Sequence, residues 1–338
     1  MRSILLLAAM SFMSLVPGPR AACAEPIAAI PDSVGRIARP DSTHGSGKLA
    51  LPRLSGYVQF RETVQSRVGA TATLPRARLN VDGPLPMGFS YRVLAEFQSH
   101  SGGSTTAGAA LRDAYIKWGH KAFALSAGQL TTPFCREWWM SPTTIETAER
   151  SIASDALATH IDVGVMGEWS RGEAFTIAAG AFNGEGQNVF VNRDSTTVLI
   201  ARVTGRPVTP LTVGGSVATF GSDSTRYGIE LNLDARPVLL RGEFLGQKRA
   251  GIDSRDEGWY ALLVVRVLPA LGLVGRQEEL HRPTYAPEGA LERGTTVGLL
   301  SDFGGGHLRA ILDYTSHRAG IVPARTKSVI AQLQARFF

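Results

Sequence analysis

From Leu54 onward the chain alternates apolar and polar residues in short runs of period two, the mark of strands with two unlike faces. In 54–61, Leu54, Val58 and Phe60, with Gly56, oppose Ser55, Tyr57, Gln59 and Arg61. In 76–82, Ala77, Leu79 and Val81 alternate with Arg76, Arg78, Asn80 and Asp82. In 89–98, Phe89, Tyr91, Val93, Ala95 and Phe97 face away from Ser90, Arg92, Glu96 and Gln98. The pattern recurs at 110–118, 122–130, 160–169, 174–182, 197–205, 211–220, 226–234, 237–247, 258–268, 271–280, 294–303, 307–315 and 327–337, which makes sixteen predicted strands. Most hold about 9 to 12 residues, the length a tilted strand needs to cross a bilayer. Strands of soluble proteins run nearer about 5 to 6. Only 143–154 carries a helical signal, for a turn or two.

The connections alternate in length. Glu62 to Pro75, Ser99 to Ala109, Thr131 to Thr159, Asn183 to Thr196, Lys248 to Glu257, His281 to Arg293 and Ser316 to Thr326 are long. Those between them, such as Gly119 to Lys121 or Ala235-Arg236, are short; Gly221 to Thr225 is intermediate. Tight turns at one end and long loops at the other define an outer-membrane barrel. The predicted fold class is therefore all-β: a 16-stranded antiparallel transmembrane β-barrel with long external loops and short periplasmic turns. The third external loop, Thr131 to Thr159, is by far the longest, and a structureless span of that length is usually functional.

The first residues belong to another stage of the protein's life. Arg2, the apolar run Ile4 to Val16 and the small residues of Ala22-Cys23-Ala24 predict a cleaved export signal over 1–24. Residues 25–53, rich in Pro, Ser and Gly, form a flexible leader before the barrel domain of 54–338. Arg20 stands where a lipoprotein signal would carry Leu, against acylation of Cys23. Cleavage leaves one cysteine, Cys135, so no intrachain disulfide is expected. The expected location is the bacterial outer membrane.

Composition changes this picture little. The mature chain would carry 33 basic against 29 acidic residues, with no cue for nucleic acid. In the full sequence only five cations are Lys (Lys48, Lys117, Lys121, Lys248, Lys327) against thirty Arg, which fits either base composition or anion handling by guanidinium forks. Catalytic patterns are absent. The seven His residues include no His-x-x-x-His pair, and Gly214-Gly215-Ser216-Val217-Ala218 lacks the last Gly of a nucleophile elbow. No enzyme activity, metal or cofactor is expected.

Several segments resemble the phosphate-selective porin O and P family. They are RARLNVDGPL (76–85), YRVLAEF (91–97), LRDAYIKW (111–118), GQLTTPF (128–134), ERS (149–151), DVGV (162–165), AAGAFNGEGQN (178–188), LRGEFLGQ (240–247) and the terminal QLQARFF. The resemblance spans roughly 54–338. It implies an outer-membrane homotrimer of 16-stranded barrels, with the third loop lining an anion-selective constriction. Here that loop departs from the pattern, holding no Lys and only Arg136 and Arg150 beside Glu137, Glu146, Glu149 and Asp155.

Charge at mid-depth of the lipid face costs about 2–4 kcal/mol for Arg, so charged positions of the strands are assigned to the lumen. Pairing across the lumen is one reading of them. The other is a rail of weak anion sites led by Arg76, Arg78 and Arg92, with Asp113 orienting them. Arg61, Arg136 and Arg150 complete the pore-lining candidates, and Trp138-Trp139 is a constriction-loop candidate able to stack a sugar. The expected partners are outer-membrane lipid and small anionic solutes. The alternatives are a channel for neutral or organic solutes and an occluded structural or adhesive barrel.

Overall fold

The computed structural model describes residues 51–99, 107–283, 291–320 and 325–337. The predicted export signal, most of the leader and the terminal Phe338 lie outside them. Sixteen strands follow in chain order: β1 (Arg53–Gln65), β2 (Gly69–Pro84), β3 (Phe89–Ser99), β4 (Ala107–His120), β5 (Phe123–Thr131), β6 (Ile161–Arg171), β7 (Phe175–Phe182), β8 (Val198–Val208), β9 (Leu211–Phe220), β10 (Ser224–Ala235), β11 (Val238–Arg249), β12 (Arg255–Leu268), β13 (Leu271–His281), β14 (Leu291–Phe303), β15 (Leu308–Ala319) and β16 (Thr326–Phe337). Each pairs antiparallel with its sequence neighbours, and β1 closes on β16 from Gly56↔Phe337 to Gln65↔Ser328.

The burial pattern inverts that of a soluble protein. Val58, Val93, Ile229 and Leu263 are exposed on the outer wall, whereas Gln59, Gln334 and Asp313 are at most 1% exposed inside. An apolar outer surface of this extent is stable against hydrocarbon, and the closed ladder satisfies the strand backbones without water. Aromatic rings collect at the ends of the strands. Phe123, Trp169 and Phe175 run side by side at the short-turn end, with centroids 6.4 and 6.0 Å apart. Such a row anchors a barrel at the bilayer interface.

Two predicted connections are corrected. Residues 62–75 are not a long loop: β1 runs to Gln65 and β2 starts at Gly69, so only Ser66–Val68 turn. Pro75, which cannot donate to a ladder, is absorbed in a bulge where the register jumps from Gln59↔Arg76 to Arg61↔Thr73. Residues 221–223 likewise make a tight turn between β9 and β10. The alternation of loop lengths is therefore weaker than the sequence implied, though 132–160 and 183–197 remain long.

A second bulge positions the site. The β3–β4 register jumps from Leu94↔Asp113 to Ala95↔Leu111, leaving Arg112 without a partner. Both Arg112 and Asp113 consequently avoid the outer wall and are buried. Gly128 and Gln129 stabilise this irregularity. Gly128 has φ +132°, and a β-carbon there would lie 2.2 Å from the Ala114 carbonyl oxygen. Gln129 Nε2 donates to the carbonyls of Leu111 (2.6 Å) and Arg112 (3.2 Å).

Candidate functional site

Beyond β5 the chain turns inward. Thr132 closes the neck of the loop, its N–H and Oγ1 each donating to the His160 carbonyl at 2.9 Å. Two short helical segments follow, α1 (Arg136–Trp139) and α2 (Ile152–Leu157). Ser151 caps α2 by accepting from Ser154 N–H at 3.1 Å.

Wall carboxylates hold the loop's backbone. Glu243 on β11 accepts from the N–H groups of Arg136 (2.8 Å) and Glu137 (2.7 Å) and from Tyr260 OH (2.8 Å). Glu278 on β13 accepts from Ile152 N–H (2.9 Å), and Asp313 on β15 from Ala148 N–H (2.8 Å). Wall arginines bind the loop from the same side. Arg276 donates to Thr147 Oγ1 (2.8 Å) and the Glu149 carbonyl (2.7 Å), and Arg309 to the Ile145 carbonyl (2.9 Å). Arg61 donates to the Ala148 carbonyl at 2.7 Å and pairs with Glu149, while Arg241 pairs with Glu146. Charge-assisted bonds of this kind are about twice as strong as neutral ones. Two of the loop acids that looked like a cation deficit in the sequence, Glu146 and Glu149, are therefore engaged by wall arginines.

The other underside of the loop is apolar. Phe134 and Leu157 pack with Met166, Phe182, Ile200 and Leu245, all at most 5% exposed. Cys135 lies in this layer, donates to Ser154 Oγ at 3.5 Å, and burial pushes its thiol well above the usual range. It is an inert thiol.

The candidate arginines separate into three groups. Arg61 and Arg136 are buried in the contact between loop and wall, Arg61 donating to the Ala148 carbonyl and Arg136 to Met140 Sδ. Arg78 and Arg92 are neutralised by acids of the wall. Arg78 donates twice to Glu96 (2.9 and 2.8 Å), and Arg92 lies 3.3 Å from Asp113. Asp113 thus holds Arg92 alone among the three predicted rail residues.

Arg76, Arg112 and Arg150 form the third group and have no carboxylate at salt-bridge distance among the described residues. Arg76 donates to Gln59 Oε1 at 3.1 Å. Arg150 donates to the carbonyls of Glu137 (3.1 Å) and Met140 (3.4 Å). Burial, and next to it the Arg76 guanidinium, hold Arg150 below its ordinary pKa. Arg112 in turn is within electrostatic reach of Arg78 and Arg150. Arg112 and Arg150 are only 6% and 4% exposed. Both lie over the Trp138 ring, at 5.8 and 4.2 Å. A desolvated cation–π contact contributes about 2 kcal/mol or somewhat more, against several for desolvating each ion. Asp113 and Glu96 act on Arg112, and Glu137 and Asp155 on Arg150, from beyond salt-bridge distance, so the cluster's positive charge is tempered without an ion pair.

Sequence reasoning missed Arg112. Its signal was the adjacent pair Arg112-Asp113 inside an alternating strand, since strict alternation would put one of the two charges into lipid. Trp138, by contrast, is no open stacking platform. His160 stacks on its ring at 4.0 Å while Arg150 covers it at 4.2 Å. Trp139 has Arg202 at 5.6 Å.

Burial, with Arg226 and Arg150 beside it, lowers the His160 pKa from 6.5 to about 4. The unfolded loop thus binds this proton more readily than the docked one between those values. Docking stability should be complete above about pH 6.5 and fall as the pH drops toward 4, by at most about 3 kcal/mol. Hydrogen exchange of residues 132–160 checks this, and His160→Asn should flatten the slope.

A closed transmembrane barrel with a loop tied across its lumen and an arginine cluster beside it defines an outer-membrane pore. The sequence profile of the phosphate-selective porin O and P family matches residues 55–241, more than half of the chain, and the protein belongs to that family. The search among curated proteins found no matching sequence. Among solved structures, the outer-membrane channel DcaP of Acinetobacter baumannii shares 13% identity over 86% of this chain and 100% of its own, with a TM-score of 0.62. The anion-selective porin from Comamonas acidovorans shares 11% over 85% and 99%, with a TM-score of 0.62. The trimer form of OmpT of Vibrio cholerae shares 11% over 86% and 100%, with a TM-score of 0.60. These likenesses concern the fold.

Proposed function

We propose that the mature protein, exported by the signal over 1–24, is a homotrimeric porin through which small anions diffuse passively. The observation that carries this reading is the group Arg76, Arg112 and Arg150, three guanidiniums with no carboxylate at salt-bridge distance among the described residues, gathered where β2 and β4 meet the loop. Every other inward arginine described above has an acid or is bound into the wall. Such a group attracts an anion, and with Glu137 and Asp155 acting on Arg150 the site stays weak enough to release it. The guanidinium fork matches phosphate and carboxylate oxygens, and the family description names phosphate. The anion selectivity of the Comamonas porin and the trimeric form of the Vibrio protein support the same reading. The occupied Trp138 ring speaks against a channel for neutral sugars.

Reversal potentials across planar bilayers under a potassium chloride gradient test it. The expected sign is anion preference, with chloride current reduced by millimolar phosphate. Cation preference would overturn the reading as a whole, and an absence of phosphate block would remove phosphate from the solutes.

A further inference from the structure

The outer wall of the barrel changes character at the long-loop ends of β14, β15 and β16. Ascending the outward face, Leu299 and Leu312 lie opposite one another, followed by Val297, Tyr314 and Val329 in one cross-strand row. The next outward row is polar: Thr295 opposite Ser316, which is opposite Lys327. Thr295 Oγ1 donates sideways to Gln277 at 2.8 Å. The row above sets Arg293 directly opposite Arg318, with Arg325 exposed just before β16.

Like charges opposite one another on neighbouring strands destabilise a sheet. Glu279 pairs with Arg293 at 2.7 Å. Arg318, Arg325 and Lys327 have no carboxylate partner among the described residues, and all three are exposed. This sector therefore holds surplus cations immediately above a Tyr314 ring 42% exposed at the apolar boundary. Long basic side chains at such a height keep their stems along apolar surface and their heads at the polar layer.

We propose that this face binds a phosphorylated glycolipid of the outer leaflet. Its tiers match such a molecule in order. Acyl chains lie against Leu299, Leu312 and Tyr314, the sugar meets the hydroxyls of Thr295 and Ser316, and the phosphates meet Arg318, Arg325 and Lys327. The bound phosphate also relieves the Arg293–Arg318 opposition. A membrane supplies phosphates at this height around the whole barrel, so the geometry needs no acidic patch on a partner.

Native mass spectrometry of the purified full chain in detergent, titrated with diphosphoryl lipid A or with its dephosphorylated form, tests the proposal. The wild type is expected to retain the diphosphoryl form and not the dephosphorylated one. R318A/R325A/K327A is expected to bind it about 100-fold more weakly, at about fivefold for each cation removed. Single-channel conductance, which depends on the lumen, reports that the variant is folded. Equal retention of the two lipids, or unchanged affinity in the triple variant, would overturn the proposal. So would loss of oligomer mass in the variant with lipid binding intact, which would make the patch a contact between subunits.

Discussion

Replacing Arg112 and Arg150 together by glutamate is expected to convert the pore from anion preference to cation preference. Both side chains lie over the Trp138 ring, and neither has a carboxylate at salt-bridge distance among the described residues. The double reversal changes the local charge by four units. One unit charge about 8 Å from a permeating ion contributes about 2 kcal/mol at an effective dielectric constant of about 20. Salt near physiological strength screens over a similar distance of about 8 Å. Even a severalfold reduction leaves more than a tenfold change in the anion-to-cation permeability ratio, read as a change of sign in the reversal potential. Arg112→Ala alone should lower the ratio a few-fold. The informative control is the pair Arg78→Gln with Glu96→Gln, which removes one buried ion pair and no net charge; it should leave the reversal potential nearly unchanged. If R112E/R150E kept its anion preference, the conducting path would have to run elsewhere in the lumen.

The barrel was legible in the sequence because a membrane imposes a strict rule on each strand. A lipid-facing position cannot hold charge, so Leu79, Val93 and Leu263 had to lie outside and Arg78, Glu96 and Arg276 inside. Strand number followed from the recurrence of that rule. Register irregularities were harder, because a bulge adds one residue without altering composition. At Pro75 the missing donor was a cue that the connection 62–75 hid a bulge. At Arg112 the cue was two adjacent charges, and following alternation past them placed only Asp113 in the lumen.

The site was less legible, for a reason of charge accounting. Counting cations in the third loop gave two, a departure from the family's phosphate-binding pattern. The loop does not act alone, however. Its acids Glu146 and Glu149 are matched by Arg241 and Arg61 of the wall, so the count that matters is what remains after pairing. Among the cations that remainder is Arg76, Arg112 and Arg150, from β2, β4 and the loop, segments far apart in the chain, with Asp155 left over on the acid side among the described residues. One hint of the loop's path was available. The inward phases of β6, β7 and β8 turn apolar at Met166, Phe182 and Ile200, and an apolar floor inside a lumen must be covered by something.

Removing the carboxylates that hold the loop should have the other large effect. Glu243 receives two backbone N–H groups of α1 and the Tyr260 hydroxyl, and Glu278 receives Ile152 N–H at the start of α2. A hydrogen bond to a charged acceptor contributes about 1.5–3 kcal/mol. Glu243→Ala with Glu278→Ala should therefore weaken docking of the loop by roughly 5 kcal/mol or more, since both short helices lose their anchor at once. The strand ladders are made by backbone groups that both substitutions leave in place, so the barrel itself should persist despite the lost Tyr260–Glu243 bond. Single-channel conductance is expected to rise several-fold, anion preference to fall because Arg150 leaves Arg76 and Arg112, and limited proteolysis to cut within 132–160. Glu243→Gln, which keeps one acceptor oxygen for the α1 amides, should lie between wild type and the double variant. Unchanged conductance together with a protected loop would mean that the apolar layer around Phe134 and Leu157 suffices to hold it. The carboxylates would then only satisfy amides that burial had already placed.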